Sequence, residues 1–387
     1  MRNFVWHNPT KILFGSGNIP AIGPESAVFG KRCLLVYGGG SIKKSGIYDT
    51  VVSSLRDAGL EIVEHGGVRP NPLLSHVREG IARARSHRAE VIVAVGGGSV
   101  LDSAKAICAG AVVEHDVWKF FTGKKGIKSA LPLTTVLTLA ASGSEMNSGM
   151  VLTRDDTREK FGFGSRHLYP RVSILDPEAT FTVPPDHTAY GAVDTIAHVL
   201  EFYVTKEDPA TPVQDRIMEG LIENAMDSCD RCLADLRDYQ ARADLMWTAT
   251  LALNGLTGAG VGRAGFPMHM IEHSLSALFD VAHGAGLAVV IPGWLRWRAR
   301  TDTRRLEQLG DRVFGIGGPG GADKAAETIA RLEQWFARVN SPIRLAQFGI
   351  QAADIPAIAA NAVKLARVWR LEGYTPEVIE EILGLCL

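Results

Sequence analysis

The sequence predicts an α/β domain in residues 1–184, followed by an all-α domain in residues 185–387. The length of 387 residues suggests two or three domains at roughly 100–200 residues each. Before Pro184, short apolar runs alternate with helical stretches, which is the pattern of a parallel sheet covered on both faces. After Pro185, helical periodicity dominates and no segment reads convincingly as a strand.

The hydrophobic pattern places the individual elements. In the first domain we expect strands at 33–37, 60–64, 90–95, 131–137 and 172–175, and helices at about 43–58, 73–86 and 99–113. In the second domain we expect helices at 187–204, 211–232, 240–258, 268–279, 323–338, 356–370 and 375–385. The glycine-rich stretch 315–321 follows no strand and contains a proline, so it is predicted to be a loop between helices.

Composition and charge limit the function classes. A net charge of −1 gives no electrostatic argument for binding nucleic acid or an anionic membrane. The N-terminus lacks the apolar core of a signal peptide, and no run approaches the ~20 residues of a transmembrane helix, so we expect a cytoplasmic protein. Five cysteines are an odd number in a large chain, which argues against a disulfide framework, and we interpret Cys229 and Cys232 as structural.

Two glycine-rich turns follow predicted strands. The buried strand at 90–95 runs into Gly96–Ser99, after which a helix begins with Ser99 as the expected N-cap and Asp102 at a capping-box spacing. Glycines let the backbone approach a phosphate, and a helix N-terminus offers unpaired N–H groups to the anion. The same order recurs where 32–37 is followed by Gly38–Ser41. Neither turn matches the Gly-x-Gly-x-x-Gly fingerprint. Each can therefore also be read as a plain strand–helix turn, above all the one at Gly38.

Two distant segments carry histidines at helical spacing. Asp194 and His198 stand four apart, and so do His269 and His273, so the members of each pair share one helical face. His283 follows after a further turn and a loop. Each pair alone could be a surface ion pair or packed core histidines. The flanking residues are apolar, however, and would bury these polar groups without compensation unless a metal or hydrogen-bond network satisfied them. A carboxylate with two or three imidazoles suits iron(II) or zinc.

The ordered set of motifs resembles a known family. The motifs are Gly96–Lys105, Thr138–Glu145, Asp176–Glu178, the Asp194/His198 pair and the segment from His269 through His273 to His283. They occur in this order and near these spacings in the iron-containing (group III) alcohol dehydrogenases, and the similarity covers essentially the whole chain. Tyr37–Ser41, Gly143–Asn147 and His273–Ala277 look like the branch of butanol dehydrogenases and NADPH-dependent aldehyde reductases.

The resemblance implies a dehydroquinate synthase-like architecture: an N-terminal dinucleotide-binding domain, a helical C-terminal domain, and a cleft between them for cofactor and metal. It implies metal ligation by Asp194, His198, His269 and His283, with His273 close by and not bound to the metal. Gly97, Gly98 and Ser99 would hold the pyrophosphate. The remaining positions expected at the cofactor are Gly38, Gly39, Gly40, Ser41, Asn71, Asp102, Thr138, Ser142 and Lys160. The stretch 262–268 departs from relatives that carry a tryptophan-containing turn there, which leaves the shape of the substrate pocket open.

The implied activity is the interconversion of primary alcohols and aldehydes with NAD(P)(H), dependent on iron(II) or, as second choice, zinc. The metal would act as a Lewis acid on the substrate oxygen, and His273 would serve the proton path. We expect NADP(H) to be preferred over NAD(H), because NAD-specific relatives commonly have an aspartate where this chain has Gly38, and Ser41 and Lys43 could receive the 2′-phosphate. A homodimer is expected from the resemblance.

Two alternatives from other classes remain open. A metal- and nucleotide-dependent lyase of the dehydroquinate synthase type would need clustered lysines and arginines for its phosphorylated acidic substrate, and the metal-bearing helices here are apolar. A non-catalytic metal or nucleotide sensor would bind both groups without turnover. An assay that follows the reduced cofactor with an aldehyde distinguishes these readings.

Overall fold

The computed structural model describes residues 1–207 and 210–387, which divide into two compact units. The sheet unit comprises His7–Val183 and Leu236–Thr250, and the helical unit comprises Met1–Trp6, Pro184–Asp235 and Leu251–Leu387. The placement of a domain boundary between residues 184 and 185 stays a prediction.

A parallel sheet forms the centre of the sheet unit. Within the described residues its six strands have the order β1-β8-β5-β4-β2-β3, and all neighbouring pairs are parallel. The strands of this unit are β1 (Lys11–Phe14), β2 (Arg32–Gly38), β3 (Glu61–Val68), β4 (Val91–Gly96), β5 (Leu133–Leu137), β6 (Gly149–Arg154), β7 (Glu159–Gly164) and β8 (Val172–Leu175). Its helices before residue 184 are α1 (Ile22–Ala27), α2 (Ser41–Lys44), α3 (Ile47–Asp57), α4 (Leu74–Ser86), α5 (Gly98–Ala111) and α6 (Trp118–Phe121).

The continuous apolar runs explain the central strands. Every residue of β4 is buried, and Val91, Val93 and Val95 pack in one core cluster with residues of β2 and α3. The α/β class predicted for this part of the chain is therefore confirmed. Sequence patterns missed β1 and the antiparallel hairpin of β6 and β7, because the edge strand β1 is only half buried and the hairpin strands include glycines and charged residues.

The remaining long helices follow residue 184, and the predicted all-α class of this part of the chain is confirmed. They are α7 (Pro185–Thr205), α8 (Pro212–Ala234), α9 (Tyr239–Leu253, which begins in the sheet unit), α10 (Pro267–Phe279), α11 (His283–Ala299), α12 (Arg304–Val313), α13 (Ala322–Arg338), α14 (Ile355–Trp369) and α15 (Pro376–Gly384). Helix α11 escaped prediction because it includes three glycines and Pro292, which usually interrupt helices. Residues 315–321 form a loop between α12 and α13, as expected.

Three further differences from prediction are local. The helix expected at 43–58 is interrupted at Gly46, whose φ of 81° ends α2 before α3 begins. Helix α9 ends at Leu253 and not at residue 258, and the sequence did not indicate α12.

All five cysteines are buried and free. Among the described residues, no helix combines the length and apolar character needed to cross a membrane.

Candidate active site

The helical unit brings four predicted metal ligands together. Asp194 and His198 lie one turn apart on α7, His269 lies in the first turn of α10, and His283 is the first residue of α11. The first three side chains are buried, whereas the side chain of His283 is 27% exposed. The fold therefore assembles a buried carboxylate and three imidazoles, with one side open at His283.

The distances from Asp194 to the three histidines suit a shared cation. The Oδ1 atom of Asp194 lies 3.6 Å from Nε2 of His198, 3.6 Å from Nε2 of His269 and 3.5 Å from Nε2 of His283. Hydrogen bonds between such atoms span roughly 2.7–3.2 Å. Tetrahedral metal–ligand bonds of about 2.0–2.2 Å instead place neighbouring ligand atoms roughly 3.3–3.6 Å apart. These contacts are too long for hydrogen bonds and suit one small ion.

Two of these atoms have no other partner. Among the described residues, Oδ1 of Asp194 and Nε2 of His269 are buried without a hydrogen bond. An unsatisfied buried carboxylate oxygen is costly unless a cation compensates it. One oxygen and three imidazole nitrogens form a donor set suited to iron(II) or zinc and poorly suited to calcium or magnesium. The residues present therefore fit the divalent metal predicted from the sequence.

Burial and close contacts in the site shift the pKa values of Asp194, His198 and His269. Burial raises the pKa of Asp194, but the neighbouring imidazoles outweigh it and hold the pKa well below the usual range. Burial lowers the pKa of His198 to about 3. Burial also opposes the charge on His269, yet the carboxylates of Asp194 and Glu201 raise its pKa to about 9. Asp194 thus remains ionised, and the raised pKa of His269 reflects negative charge that a bound cation would offset in place of a proton.

Close packing of two helices places His283 in the site. A Cβ atom on Gly284 would lie 2.1 Å from the carbonyl oxygen of Tyr190. Only glycine allows the start of α11 to approach the backbone of α7 this closely. Because Gly284 follows His283 directly, this approach brings the imidazole within reach of Asp194.

Two buried glutamates were missed by sequence reasoning. Glu201 accepts hydrogen bonds from Nδ1 of His269 at 3.1 Å and from its backbone N–H at 2.9 Å. Glu272 accepts from Nδ1 of His283. Both side chains are fully buried. One signal was available: Glu201 lies three residues after His198, so it shares the ligand-bearing face of α7.

His273 lies beside the proposed ligand His283. It is buried, and its ring centroid is 5.5 Å from that of His283 and 5.5 Å from that of Trp369. Donor atoms of Glu272, His273 and His283 lie within 4.8 Å of one another, which would also permit a second ion. We assign that group differently, because the Glu272 carboxylate already bonds Nδ1 of His283. A role for His273 in proton transfer stays a prediction.

Predicted nucleotide-binding residues gather at one end of the sheet. Strands β2, β4 and β5 are parallel neighbours, and their carboxyl ends lead into Gly38–Ser41, Gly97–Ser99 and Thr138. The chain runs from β2 to β3 on one side and returns to β4 on the other. The gap beyond the ends of β2 and β4 is thus a topological switch point, where open α/β sheets bind ligands.

The turn after β4 is tighter than the sequence suggested. Helix α5 begins at Gly98 with Gly97 as its N-cap, and no side chain caps it, so the predicted N-cap role of Ser99 is wrong. A Cβ atom on Gly98 would lie 2.4 Å from Oγ and 3.0 Å from Cβ of Ser142, so a larger residue here would force Ser142 to shift. The first N–H groups of α5 lack helical acceptors, which suits an anion.

The other predicted cofactor residues differ in their surroundings. Asn71 adopts a φ of 52°, and its Oδ1 accepts from Nζ of buried Lys160 at 2.9 Å. Asp102 makes no capping box; its carboxylate accepts from Oγ of Ser144 at 2.6 Å and from the backbone N–H of Val151 at 2.9 Å. Both oxygens of Asp102 therefore hold protein groups, and its cofactor contact stays a prediction.

The turn after β2 is open and carries a positive charge nearby. Cβ atoms on Gly39 and Gly40 would meet no atom within 4 Å, and the φ of 127° at Gly40 favours glycine. Lys43 lies over the rings of Tyr37 and Tyr48, with its Nζ 5.1 Å and 4.6 Å from their centroids. Both tyrosine hydroxyls donate to Glu64 at 2.7 Å. The ammonium group of Lys43 is therefore held against a polar cluster beside the turn.

Family models match nearly the whole chain. The model described as iron-containing alcohol dehydrogenase matches residues 9–177, and the one described as Fe-containing alcohol dehydrogenase family, C-terminal, matches residues 188–384. This chain belongs to the iron-containing alcohol dehydrogenase family. The resemblance inferred from the motifs is confirmed.

Relatives of this chain support the family assignment over nearly its full length. The chain is 42% identical over 389 residues to the probable NADH-dependent butanol dehydrogenase 1 of Bacillus subtilis (strain 168), covering 100% of both. It is 39% identical over 363 residues to the NADPH-dependent aldehyde reductase YqhD of Escherichia coli (strain K12), covering 92% of each. The crystal structure of NADH-dependent butanol dehydrogenase A from Thermotoga maritima is similar with a TM-score of 0.96 at 44% identity, covering 100% of this chain and 99% of that one.

Proposed function

We propose that this protein is a metal-dependent oxidoreductase that interconverts primary alcohols and aldehydes with NAD(P)(H). The observation that carries the proposal is the cluster in which Oδ1 of Asp194 lies 3.5–3.6 Å from three histidine Nε2 atoms. Family membership and the names of the relatives, butanol dehydrogenase and aldehyde reductase, support this chemistry. They do not favour a lyase or a non-catalytic sensor.

Asp194, His198, His269 and His283 would hold the ion, with iron(II) as first choice and zinc as second. When bound, such an ion supplies Lewis acidity toward the oxygen of the alcohol or aldehyde. We propose that His273 moves the proton that this oxygen gains or loses, since imidazole exchanges protons near neutral pH. The half-buried rings of Phe266 and Trp369, beside His269 and His273, would give the substrate an apolar surface.

The nucleotide would bind at the carboxyl end of the sheet. We propose that Gly97, Gly98 and Ser99 hold the pyrophosphate and that the other contacts come from Gly38, Gly39, Gly40, Ser41, Asn71, Asp102, Thr138, Ser142 and Lys160. We propose a preference for NADP(H), because Gly38 presents no carboxylate to repel a 2′-phosphate. The relatives divide on this point, since the Bacillus subtilis protein is named NADH-dependent and the Escherichia coli protein NADPH-dependent.

The test is an assay of purified protein with butyraldehyde and a panel of primary alcohols, following absorbance of the reduced nicotinamide with each cofactor. We expect aldehyde-dependent oxidation of the reduced cofactor. Binding of metal and nucleotide with no turnover on any substrate would overturn the proposed activity and favour the sensor. A homodimer in the cytoplasm stays a prediction, which sedimentation and cell fractionation can check.

A further inference from the structure

Each of two proposed metal ligands is backed by a buried carboxylate. His269 and His283 turn Nε2 toward Asp194, at 3.6 Å and 3.5 Å, and turn Nδ1 toward Glu201 and Glu272 respectively. His198 differs, because its Nδ1 is buried and has no hydrogen-bond partner among the described residues. The two histidines that come from α10 and α11 therefore bond a buried carboxylate through Nδ1, whereas His198 on α7 bonds none among the described residues.

Glu201 holds its histidine by two bonds. One oxygen, Oε1, accepts from both the backbone N–H and Nδ1 of His269. His269 is the third residue of α10, so its N–H lacks a helical acceptor, and no side chain from the start of α10 caps this end. A carboxylate at a helix N-terminus is favourable, and here it also fixes the ring. Glu201 thus joins α7 to α10 through a proposed metal ligand.

Glu272 is itself held in place on the other side of the site. Its Oε2 accepts from Nδ1 of His283, and its Oε1 accepts from the hydroxyl of Ser276 one turn further along α10. A Cβ atom on Gly286 would lie 2.8 Å from the Glu272 side chain, so α11 packs directly against it. The carboxylate has little freedom to leave the imidazole.

We infer that Glu201 and Glu272 are positioning residues that set the tautomer and orientation of His269 and His283 and add negative charge behind them. With Nδ1 donating a proton to the carboxylate, Nε2 presents its lone pair to the ion. Carboxylates behind ligand imidazoles raise their basicity, and losing one typically lowers metal affinity about 10–100-fold. Together with Asp194, this would place three buried carboxyl groups around the bound ion. This inference rests on the metal site of the proposed function.

Charge and shape can be separated by isosteric variants. Glu201→Gln and Glu272→Gln keep the side-chain length and one acceptor oxygen but remove the charge. Glu219→Gln is the matched control, because Glu219 is also buried in the helical unit but bonds Tyr203, Gln308 and Arg312 instead of a ligand. Ser276→Ala removes the bond that holds Glu272 and leaves every charge in place. Circular dichroism verifies that each variant is folded.

The measurement is the affinity for Zn²⁺ by competition with a chromogenic chelator, together with the visible spectrum after loading with Co²⁺. We expect each glutamate variant to bind Zn²⁺ about 10–100-fold more weakly and to show a changed Co²⁺ spectrum, with a smaller loss in Ser276→Ala and none in Glu219→Gln. Wild-type affinity and spectrum in both glutamate variants, or an equal loss in Glu219→Gln, would overturn the inference and leave the proposed function standing. Failure of the wild type to bind Zn²⁺ would overturn both. If the glutamine variants do not fold, the Ser276→Ala result decides.

Discussion

The Oδ1 atom of Asp194 lies 3.5 Å from Nε2 of His283, although the two residues come from different helices. Their approach depends on Gly284, whose missing side chain lets the start of α11 meet the backbone of α7 at Tyr190. The proposed metal site therefore depends on helix packing as well as on the spacing of the proposed ligands within each helix.

Substitution Gly284→Ala should disrupt the site. The new Cβ atom would lie 2.1 Å from the Tyr190 carbonyl oxygen, so backbone must move and His283 must shift away from Asp194. We expect the affinity of the protein for the metal to fall at least about tenfold and the melting temperature to drop. The control is Gly220→Ala in α8, where the added Cβ meets nothing within 4 Å and should stabilise the helix slightly. Equal metal affinity in both variants would refute the packing argument.

His273 should affect turnover without affecting metal content. In a His273→Ala protein we expect kcat to fall about 10²-fold, the loss typical of general acid–base catalysis, and one limb of the pH profile to disappear. The control is Ser274→Ala on the same helix, whose hydroxyl contacts Asn361 instead of the proposed ligands. Loss of metal from His273→Ala would make His273 a ligand, and an unchanged kcat would leave it a packing residue.

Cofactor preference can be tested at Gly38. A Cβ atom there would lie 3.5 Å from the carbonyl oxygen of Val68 and 3.7 Å from Val100, which is ordinary contact, so the backbone accepts a Cβ atom at this position. Gly38→Asp should lower kcat/KM for NADPH more than for NADH, because its charge repels the 2′-phosphate. Gly38→Asn adds the same bulk without charge and should leave the ratio near wild type. A wild-type protein that favours NADH would contradict the proposed preference.

Acid stability should depend on Asp215. Burial raises its pKa, but hydrogen bonds from Arg305, Lys206 and Gln308 outweigh this and lower it to about 2 from 3.8. Its folded pKa lies below the unfolded value, so its contribution is complete above pH 3.8 and disappears as the pH falls toward 2. Asp215→Asn should lower the free energy of unfolding at pH 7 by on the order of 3 kcal/mol. The variant should also lose less stability than the wild type as the pH falls from 3.8 toward 2.

The control for Asp215 is the exposed pair of Glu327 and Arg331 on α13. Glu327→Gln should change the free energy of unfolding by less than about 1 kcal/mol, because solvent screens such pairs. Chemical denaturation at pH values between 2 and 7 measures both effects. Equal losses in the two variants would show that the buried network around Asp215 adds no special stability.

Sequence patterns predicted those helices and strands in which the spacing of apolar residues follows their burial. The run of β-branched residues in β4 and the four-residue spacing of Asp194 and His198 depend only on local geometry, so both were visible in the sequence. Helix α11 was not, because Pro292 and its glycines obscure a helix that tertiary packing stabilises on nearly every side. The hairpin of β6 and β7 was missed for the opposite reason, since its strands lack a continuous apolar run.

The parts of the site that sequence reasoning missed are those set by three-dimensional contact. Nothing in the local pattern pairs Glu201 with His269, because the bond joins α7 to α10. Asp102 was assigned from its spacing to a capping box, whereas its carboxylate bonds Ser144 before β6 and the backbone of Val151 within β6. In such cases spacing identifies a polar residue at a functional position but not the group that it contacts.

Metal removal tests the central claim most directly. Purified protein is analysed for bound metal, dialysed against a strong chelator, and assayed with butyraldehyde and reduced cofactor before and after Fe²⁺ or Zn²⁺ is returned. We expect about one ion per chain, loss of turnover with loss of the ion, and recovery on its return. His269→Ala should retain neither ion nor turnover, whereas His187→Ala, an exposed histidine on α7, should retain both. Full turnover after exhaustive chelation, or stoichiometric metal in His269→Ala, would contradict the account.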